Sequence, residues 1–392
     1  MHIHLFYICC MQTEDKVIIV YFFPIFRDDT MARWAENVGG NHDKKEYSVS
    51  FIGKKIEESF KTQISKNISV DCLGNFFMPG MFFSLVKYFR KKHPDIFVSA
   101  SPHINTLVVI AKIISGVKTK IVLTEHNNFS FFAITARSSY RRFVAKYILP
   151  YFMRIFYPLS DAIICVSKGV AEDLIKIIKY KNKVEIIYNP AQNNRIYELM
   201  EESVNHPYFL NPKIPIILAA GRLVRQKDYP TLFLAFKLII KKMPARLVIL
   251  GEGSEREKLE KLVLQLGISE NVVFLGYQKN PYKYMKNASI FVLSSIEEGF
   301  GNVIVEAMAC GTPVVSTNCK SGPGEIIENN KNGILVPVGD YKALSEAIIR
   351  VFESHSLRQT LSIEGAKRAK YFSAEKSVRE YEKVFKKIMK CR

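Results

Sequence analysis

The residues best placed to do chemistry lie in the second half of the chain. In Gly221-Arg222-Leu223-Val224-Arg225-Gln226-Lys227-Asp228 two fixed cations, Arg222 and Lys227, follow the apolar run Ile214-Pro215-Ile216-Ile217-Leu218-Ala219-Ala220, which reads as a buried strand ending in a glycine turn. Ligands of open α/β sheets bind just outside the carboxyl ends of the strands. A guanidinium fork and an ammonium point charge at that edge can stabilise a diphosphate that gains negative charge as it leaves, with no metal needed. Taken alone, the pair reads equally well as two solvated surface cations, and Arg225 reads as one of that kind.

The second element is Ser294-Ser295-Ile296-Glu297-Glu298-Gly299-Phe300-Gly301-Asn302-Val303-Ile304-Val305-Glu306 with the continuation Ala307-Met308-Ala309-Cys310-Gly311-Thr312-Pro313. A strand ends at Ser294, a glycine-bearing loop follows, and an alanine-rich helix opens near Asn302. Backbone N–H groups at a helix start attract anions, and Gly299 and Gly301 let the chain approach a phosphate closely. Glu298 on the loop and Glu306 about one turn inside the helix flank that place, with seven residues between them. Glu306 can accept hydrogen bonds from two vicinal hydroxyls such as those of a ribose. Glu298 can hold sugar hydroxyls or stand beside a reacting centre. Two surface acids at a helix N-terminus are the plain alternative, and the Arg222/Lys227 loop tips the balance toward a shared anion site.

These loops need a scaffold that lines them up along one edge. Short β-branched and aromatic runs alternate with longer helical patterns through both halves, the signature of parallel sheets with crossover helices. In the first half strands are predicted at 17–22, 47–52, 96–99, 120–124 and 162–166, with helices from about 81 to 92, 137 to 156 and 167 to 178. In the second half strands are predicted at 214–220, 246–250, 272–275, 290–293, 314–316 and 333–336. Tyr188-Asn189-Pro190 closes a strand, and the polar, proline-punctuated stretch that follows reads as a linker.

Composition sets the class. The 392 residues suffice for two domains, and 48% hydrophobic with 24% charged residues is ordinary for a globular chain. Lys and Arg outnumber Asp and Glu by 56 to 37, a net charge of +19, so a polyanionic partner is expected: nucleic acid, nucleotide phosphates or an acidic membrane. The apolar stretches 104–114 and 143–157 carry Lys112, Lys146 and Arg154 and are too short to span a bilayer. The segment 1–11 is no convincing signal peptide, and an upstream extension before a start near Met11 reads equally well. Seven cysteines without a Cys-x-x-Cys pair fit neither a disulfide framework nor a zinc site; Cys165 and Cys310 read as small core residues in a reducing compartment. Basic and aromatic residues interleave at Arg137, Tyr140, Arg141, Arg142, Phe143, Lys146, Tyr147, Tyr151, Arg154 and Phe156, and again over 82–92. Such helices lie in a headgroup layer or, alternatively, show the core an aromatic stripe and water a basic edge.

With these segments in view, the chain resembles retaining glycosyltransferases of family 4, which have the GT-B architecture. The resemblance rests on the 221–227 loop, Leu250-Gly251-Glu252-Gly253, Phe274-Leu275-Gly276-Tyr277, Glu298 through Gly301 to Glu306, and Ala309-Cys310-Gly311-Thr312-Pro313-Val314-Val315. Ser321-Gly322-Pro323-Gly324-Glu325-Ile326 looks like members that build lipid-linked glycans, capsule or lipopolysaccharide. The resemblance implies an α/β fold of two Rossmann-like domains with parallel sheets facing across a cleft: an acceptor domain over 1–189, a linker over 190–212, a nucleotide-sugar domain over 213–373, and a helix at about 374–390 that packs back on the first domain. It implies that Arg222 and Lys227 grip the donor diphosphate and Glu306 the ribose. Glu298 with the Phe300, Gly301, Asn302 and Val303 segment would hold the donor sugar and its phosphate, and the turn at Tyr277 would border the base. Thr124-Glu125-His126-Asn127 resembles the segment whose histidine lies beside the transferred sugar, which makes His126 and Glu298 the catalytic candidates. One departure stands out: after the first strand, where the family usually carries a glycine-rich loop, this chain has Phe23-Pro24-Ile25-Phe26-Arg27-Asp28-Asp29-Thr30.

The implied reaction moves a hexose or N-acetylhexosamine from a nucleotide sugar, commonly a UDP-sugar in this family, to a lipid-linked or surface-polysaccharide acceptor. Configuration is retained, and no metal or other cofactor is expected. The enzyme would work in the cytoplasm, in peripheral contact with the anionic inner face of the membrane and without a nucleic-acid partner. A nucleotide-sugar epimerase on the same architecture is the rival enzyme, distinguished by acting without an acceptor; a nucleic-acid-binding protein would explain the charge but lacks an accompanying motif.

Overall fold

The structure, a computed structural model, describes residues 16–26, 30–57, 68–74, 78–135, 138–210 and 213–390. It contains two parallel sheets. The first has seven strands in the order β3-β2-β1-β4-β5-β6-β7: β1 Val17–Phe26, β2 Tyr47–Ile56, β3 Ser69–Cys72, β4 Ile96–Ser99, β5 Lys120–Glu125, β6 Ala162–Cys165 and β7 Val184–Ile186. The second has six in the order β10-β9-β8-β11-β12-β13: β8 Ile216–Ala220, β9 Arg246–Leu250, β10 Val272–Gly276, β11 Ile290–Leu293, β12 Val314–Thr317 and β13 Ile334–Val336. In each sheet the order reverses direction once, between β1 and β4 and between β8 and β11, and such switch points open a crevice at the carboxyl ends of the strands. The fold is that of two Rossmann-like domains.

Central strands such as β4, β6, β8 and β11 are buried along their whole length. Helices cover both faces of a sheet of this kind, so its sequence runs apolar without alternation. One strand, β3, escaped the sequence pattern, and β7 is the short strand that Tyr188-Asn189-Pro190 closes. β3 is an edge strand of four residues, Ser-Val-Asp-Cys, and β7 one of three, both only partly buried, so neither needs an apolar run. β1 is longer than the predicted 17–22. Beyond Phe22, which pairs with Ser99 at the end of β4, it continues beside β2 alone, and a strand paired on one side tolerates Pro24. Of the glycine-poor segment, residues 23–26 thus belong to β1, and 27–29 lie outside the described residues. So does the segment 1–11 with its start-site question.

The single helix predicted over 137–156 is broken. Residues 136–137 lie outside the described residues, Ser139–Phe143 is α-helical, Val144–Ile148 forms a π-turn, and Leu149–Phe156 resumes the α-helix. Pro150 explains the break: it has no N–H to return to the carbonyl four residues earlier, so the chain widens by one residue before restarting. Within 190–212 two short helices, Asn194–Leu199 and Pro207–Leu210, interrupt the polar stretch. Helix Ala374–Lys390 buries Val378, Tyr381, Phe385 and Ile388 in the cluster formed by Ile19, Tyr21 and Trp34 of the first domain. Cys165 and Cys310 are core residues. No helix among the described residues is long and apolar enough to cross a membrane.

Candidate active site

The loops after β8 and β11 are neighbours because those strands pair in parallel at the switch point. Backbone and side-chain hydrogen bonds stitch them together: Ile296 N–H donates to the Gln226 carbonyl at 3.0 Å, the Gln226 amide to the Glu297 carbonyl at 2.8 Å, and the Ser294 hydroxyl to the Lys227 carbonyl at 2.8 Å. Two segments separated in sequence by some seventy residues thus form one rigid lip. On that lip the Lys227 ammonium lies 2.5 Å from Glu298 Oε1, and the Ser295 hydroxyl donates to the same oxygen at 2.7 Å. Glu298 is buried; its charge is held there by one cation and one hydroxyl, as a buried carboxylate requires.

Helix Asn302–Ala309 starts on Gly301, whose φ of 97° is a left-handed conformation natural only to glycine. No side chain caps its first turn, so the amino end offers backbone donors and partial positive charge to an anion. Glu306 lies one turn inside, buried, and its Oε2 has no hydrogen-bond partner among the described residues. Burial pushes the Glu306 carboxyl above the usual carboxylate range, and the charges of Arg33 and Lys227 pull it back. A buried acid with a vacant oxygen, held toward its charged form by two cations, is built to accept hydroxyl donors.

The first domain closes the other side. Its β5 ends in Glu125, and His126 follows, half-buried, in hydrogen-bond contact with the Thr124 hydroxyl at 3.1 Å and edge-on to Trp34 at 5.0 Å. Loss of hydration lowers the His126 pKa to about 4, so the ring is neutral at ordinary pH. Gly299 touches this segment directly: a Cβ there would fall 1.9 Å from the His126 carbonyl oxygen. Further contacts hold the cleft shut. The Ser167 hydroxyl donates to the Gly299 carbonyl at 2.7 Å, Asn128 Nδ2 donates to Ser321 Oγ at 2.9 Å, and Asn189 Nδ2 to Asn302 Oδ1 at 3.1 Å. Glu325 accepts from the Lys168 and Gly169 N–H groups at 2.8 and 3.1 Å, placing a carboxylate at the amino end of helix Lys168–Ile178 across the domain boundary.

Of the residues singled out from the sequence, Lys227, Glu298, Asn302 and Glu306 are thus gathered at the switch point, with His126 against the backbone of Gly299. Arg222 is exposed on the same loop as Lys227, and Arg225 is exposed as well. Tyr277 is half exposed and stands in the electrostatic surroundings of Arg33. The Phe300 side chain is buried against Tyr188 and Phe372, and Val303 packs on the same core, so these two offer the site their backbone rather than their side chains. Sequence reasoning missed Arg33, on helix Thr30–Gly39, and Tyr282, on helix Tyr282–Asn287; both line a crevice with Asn302 and Glu306. The available signal for Arg33 was its place just past the end of β1, at the sheet edge that faces the cleft.

Comparison with known proteins agrees with this fold. Residues 202–368 match the family described as Glycosyl transferases group 1, and residues 45–195 match Glycosyltransferase Family 4. An uncharacterized glycosyltransferase of Methanocaldococcus jannaschii is 30% identical over 76% of this chain and 81% of its own. The N-acetylgalactosamine-N,N'-diacetylbacillosaminyl-diphospho-undecaprenol 4-alpha-N-acetylgalactosaminyltransferase of Campylobacter jejuni is 31% identical over 70% of this chain and 72% of its own. Among solved structures, Anabaena HepE in complex with UDP-glucose covers 94% of this chain and 99% of its own with a TM-score of 0.78 at 17% identity, a likeness of fold. Two matched halves, two paired parallel sheets and relatives sharing about three residues in ten lead to one conclusion: the chain belongs to the glycosyl transferases group 1 and is a glycosyltransferase of GT-B fold.

Proposed function

We propose that this glycosyltransferase moves a hexose or N-acetylhexosamine from a UDP-sugar to a lipid-linked or surface-polysaccharide acceptor, with retention of configuration and without metal or other cofactor. The observation that carries the reading is the convergence of Lys227, Glu298, Glu306 and the amino end of helix Asn302–Ala309 on one lip of a closed cleft. Lys227 and Arg222 take the diphosphate, the vacant oxygen of Glu306 takes ribose hydroxyls, and Tyr277 borders the base. Glu298 and the backbone of Phe300, Gly301, Asn302 and Val303 hold the sugar and its phosphate. His126, neutral, serves the transferred sugar as a hydrogen-bond partner rather than as a cation.

In the reaction the acceptor oxygen bonds to the anomeric carbon on the face from which the diphosphate departs. The anomeric carbon–phosphate oxygen bond breaks, and the acceptor's proton passes to the leaving phosphate oxygen. The developing charge meets Lys227, Arg222 and the helix end, which is where preorganised electrostatics act on a transition state. The UDP-glucose complex of Anabaena HepE supports a uridine donor, and the diphospho-undecaprenol in the name of the Campylobacter relative supports a lipid-linked acceptor.

A lipid-linked acceptor places the enzyme at the inner face of the cytoplasmic membrane. Tyr140, Phe143, Tyr147 and Tyr151 are 76, 55, 58 and 62% exposed, too wet for a core-facing stripe, and Arg142, Lys146 and Arg154 lie among them. A solvent-facing aromatic and basic surface of this kind suits an anionic headgroup layer. Mass spectrometry of products from a nucleotide-sugar panel, with and without a polyprenyl-diphosphate glycan, tests the reaction. Release of nucleoside diphosphate that depends on the acceptor, with a heavier glycan as product, is the expected result. Conversion of the nucleotide sugar without acceptor would replace the transferase reading by an epimerase.

A further inference from the structure

The crevice beside Glu306 is closed from the opposite domain by a residue that no motif assigns. Helix Thr30–Gly39 packs through Trp34, Ala35 and Val38 into the core of the first domain, and Arg33 points the other way, half-buried, into the crevice with Tyr282, Asn302 and Glu306. Its guanidinium shares that crevice with the Tyr282 ring, whose hydroxyl supports the Arg33 charge. Loss of hydration opposes the Arg33 charge, and the Glu306 carboxylate and the Tyr282 hydroxyl more than offset that penalty. Arg195, on the same crevice, is paired with Glu36 at 3.1 Å, and Lys279 is exposed on its rim. Arg33 therefore brings a cation from the first domain to the empty carboxylate of the second.

Ribose hydroxyls that take the Glu306 carboxylate compete with the cation across the crevice for its charge. The diphosphate attached to that ribose is the nearest new anion, and on the second domain's side it meets Lys227, whose ammonium is already engaged by Glu298, and Arg222, which is exposed. We propose that Arg33 is a donor-positioning residue supplied across the cleft: it faces Glu306 while the crevice is empty and clasps the donor diphosphate once ribose hydroxyls take the carboxylate. The inference rests on the reading of the cleft as a nucleotide-sugar site, and it adds a residue that grips only when the domains are closed.

Calorimetry on the full chain with UDP, ADP and GDP, and with the nucleoside of whichever binds, separates the two ideas. For Arg33→Ala and Arg33→Gln the expected result is a loss of about ten- to a hundredfold in nucleoside diphosphate affinity, the scale of one charge-assisted contact, with no loss of nucleoside affinity. Arg33→Lys should recover part of the loss. A melting scan identifies a variant that fails to fold, and the glutamine variant, shorter than arginine but still carrying an uncharged amide donor, stands in should the alanine variant be lost. Unchanged or tighter diphosphate binding, or an equal loss for nucleoside and diphosphate, would overturn the Arg33 role. Lys227→Ala serves as the control: if it weakens diphosphate binding while Arg33→Gln does not, the nucleotide-sugar reading stands and the Arg33 inference falls. Failure of the unsubstituted chain to bind any of the three diphosphates would overturn the nucleotide-sugar reading itself.

Discussion

Replacing Lys227 by methionine perturbs two things at once, and the structure allows them to be told apart. The first is the pair with Glu298, in which the side chains are 13 and 10% exposed and 2.5 Å apart. Removing one member of a fully buried pair costs about 3–5 kcal/mol, and of a surface pair about 0–1 kcal/mol. Glu298 would keep the Ser295 hydroxyl at 2.7 Å, so a loss of about 2–3 kcal/mol of stability is expected for Lys227→Met. The second is the proposed diphosphate contact, worth about 1.5–3 kcal/mol, which is roughly ten- to a hundredfold in Kd. Glu298→Gln removes the buried charge and keeps an acceptor for Ser295, so the double variant should regain most of the stability while its UDP affinity stays low. Urea unfolding reads the first quantity and calorimetry with UDP the second. The reasoning is refuted if Lys227→Met binds UDP as the unsubstituted chain does, or if the double variant recovers affinity together with stability; Lys227 would then serve the fold and not the phosphates.

Gly299→Ala forces a Cβ into the space held by the His126 carbonyl, so the cleft should open: small-angle scattering should report a larger radius of gyration and donor hydrolysis should fall, and an unchanged radius would count against the close approach. Adjacent Glu125 and His126 should hide each other's pH dependence. Burial raises Glu125 to about 7, so its contribution to stability is full below the unfolded value of about 4.5 and is lost as pH rises through 7, whereas His126, lowered to about 4, contributes fully above about 6.5 and loses that contribution as pH falls through 4. Urea midpoints between pH 4.5 and 6.5 should therefore rise with pH in Glu125→Gln and fall with pH in His126→Gln; identical slopes in the two variants would refute the assignment. Substituting Tyr140, Tyr147 and Tyr151 together by serine should abolish sedimentation with vesicles containing anionic lipid while leaving UDP affinity intact, and persistence of that sedimentation would remove the aromatic surface from membrane contact.

Why the second domain's half of the site was legible and the first domain's was not follows from how each is encoded. Lys227 and Glu298 sit on loops after strands that the apolar runs announce, and in a doubly wound sheet the loops at the switch point must be neighbours, so spacing along the chain already implied proximity in space. Gly299 and Gly301 marked the places where the backbone needed room, and each has a definite reason: the His126 carbonyl for one, a left-handed φ for the other. The edge at β3 was less legible because that strand is short and half wet, and burial is the property that writes an apolar pattern. The π-turn at Val144–Ile148 was hidden because helical periodicity continues on both sides of it, and only Pro150 betrays the interruption.

Arg33 is the instructive case. Its helix shows the core Trp34, Ala35 and Val38, so the amphipathic pattern assigns Arg33 to the solvent side, and within the first domain alone that assignment is correct. What removes it from solvent is the second domain, whose Tyr282 and Glu306 meet it across the cleft. Periodicity records how a helix sits on its own sheet and holds no information about a surface that another domain later covers. A side chain that is polar on one domain and faces a vacant buried carboxylate on the other is therefore where function in a two-domain enzyme escapes the sequence, and it comes into view only when both domains are seen together.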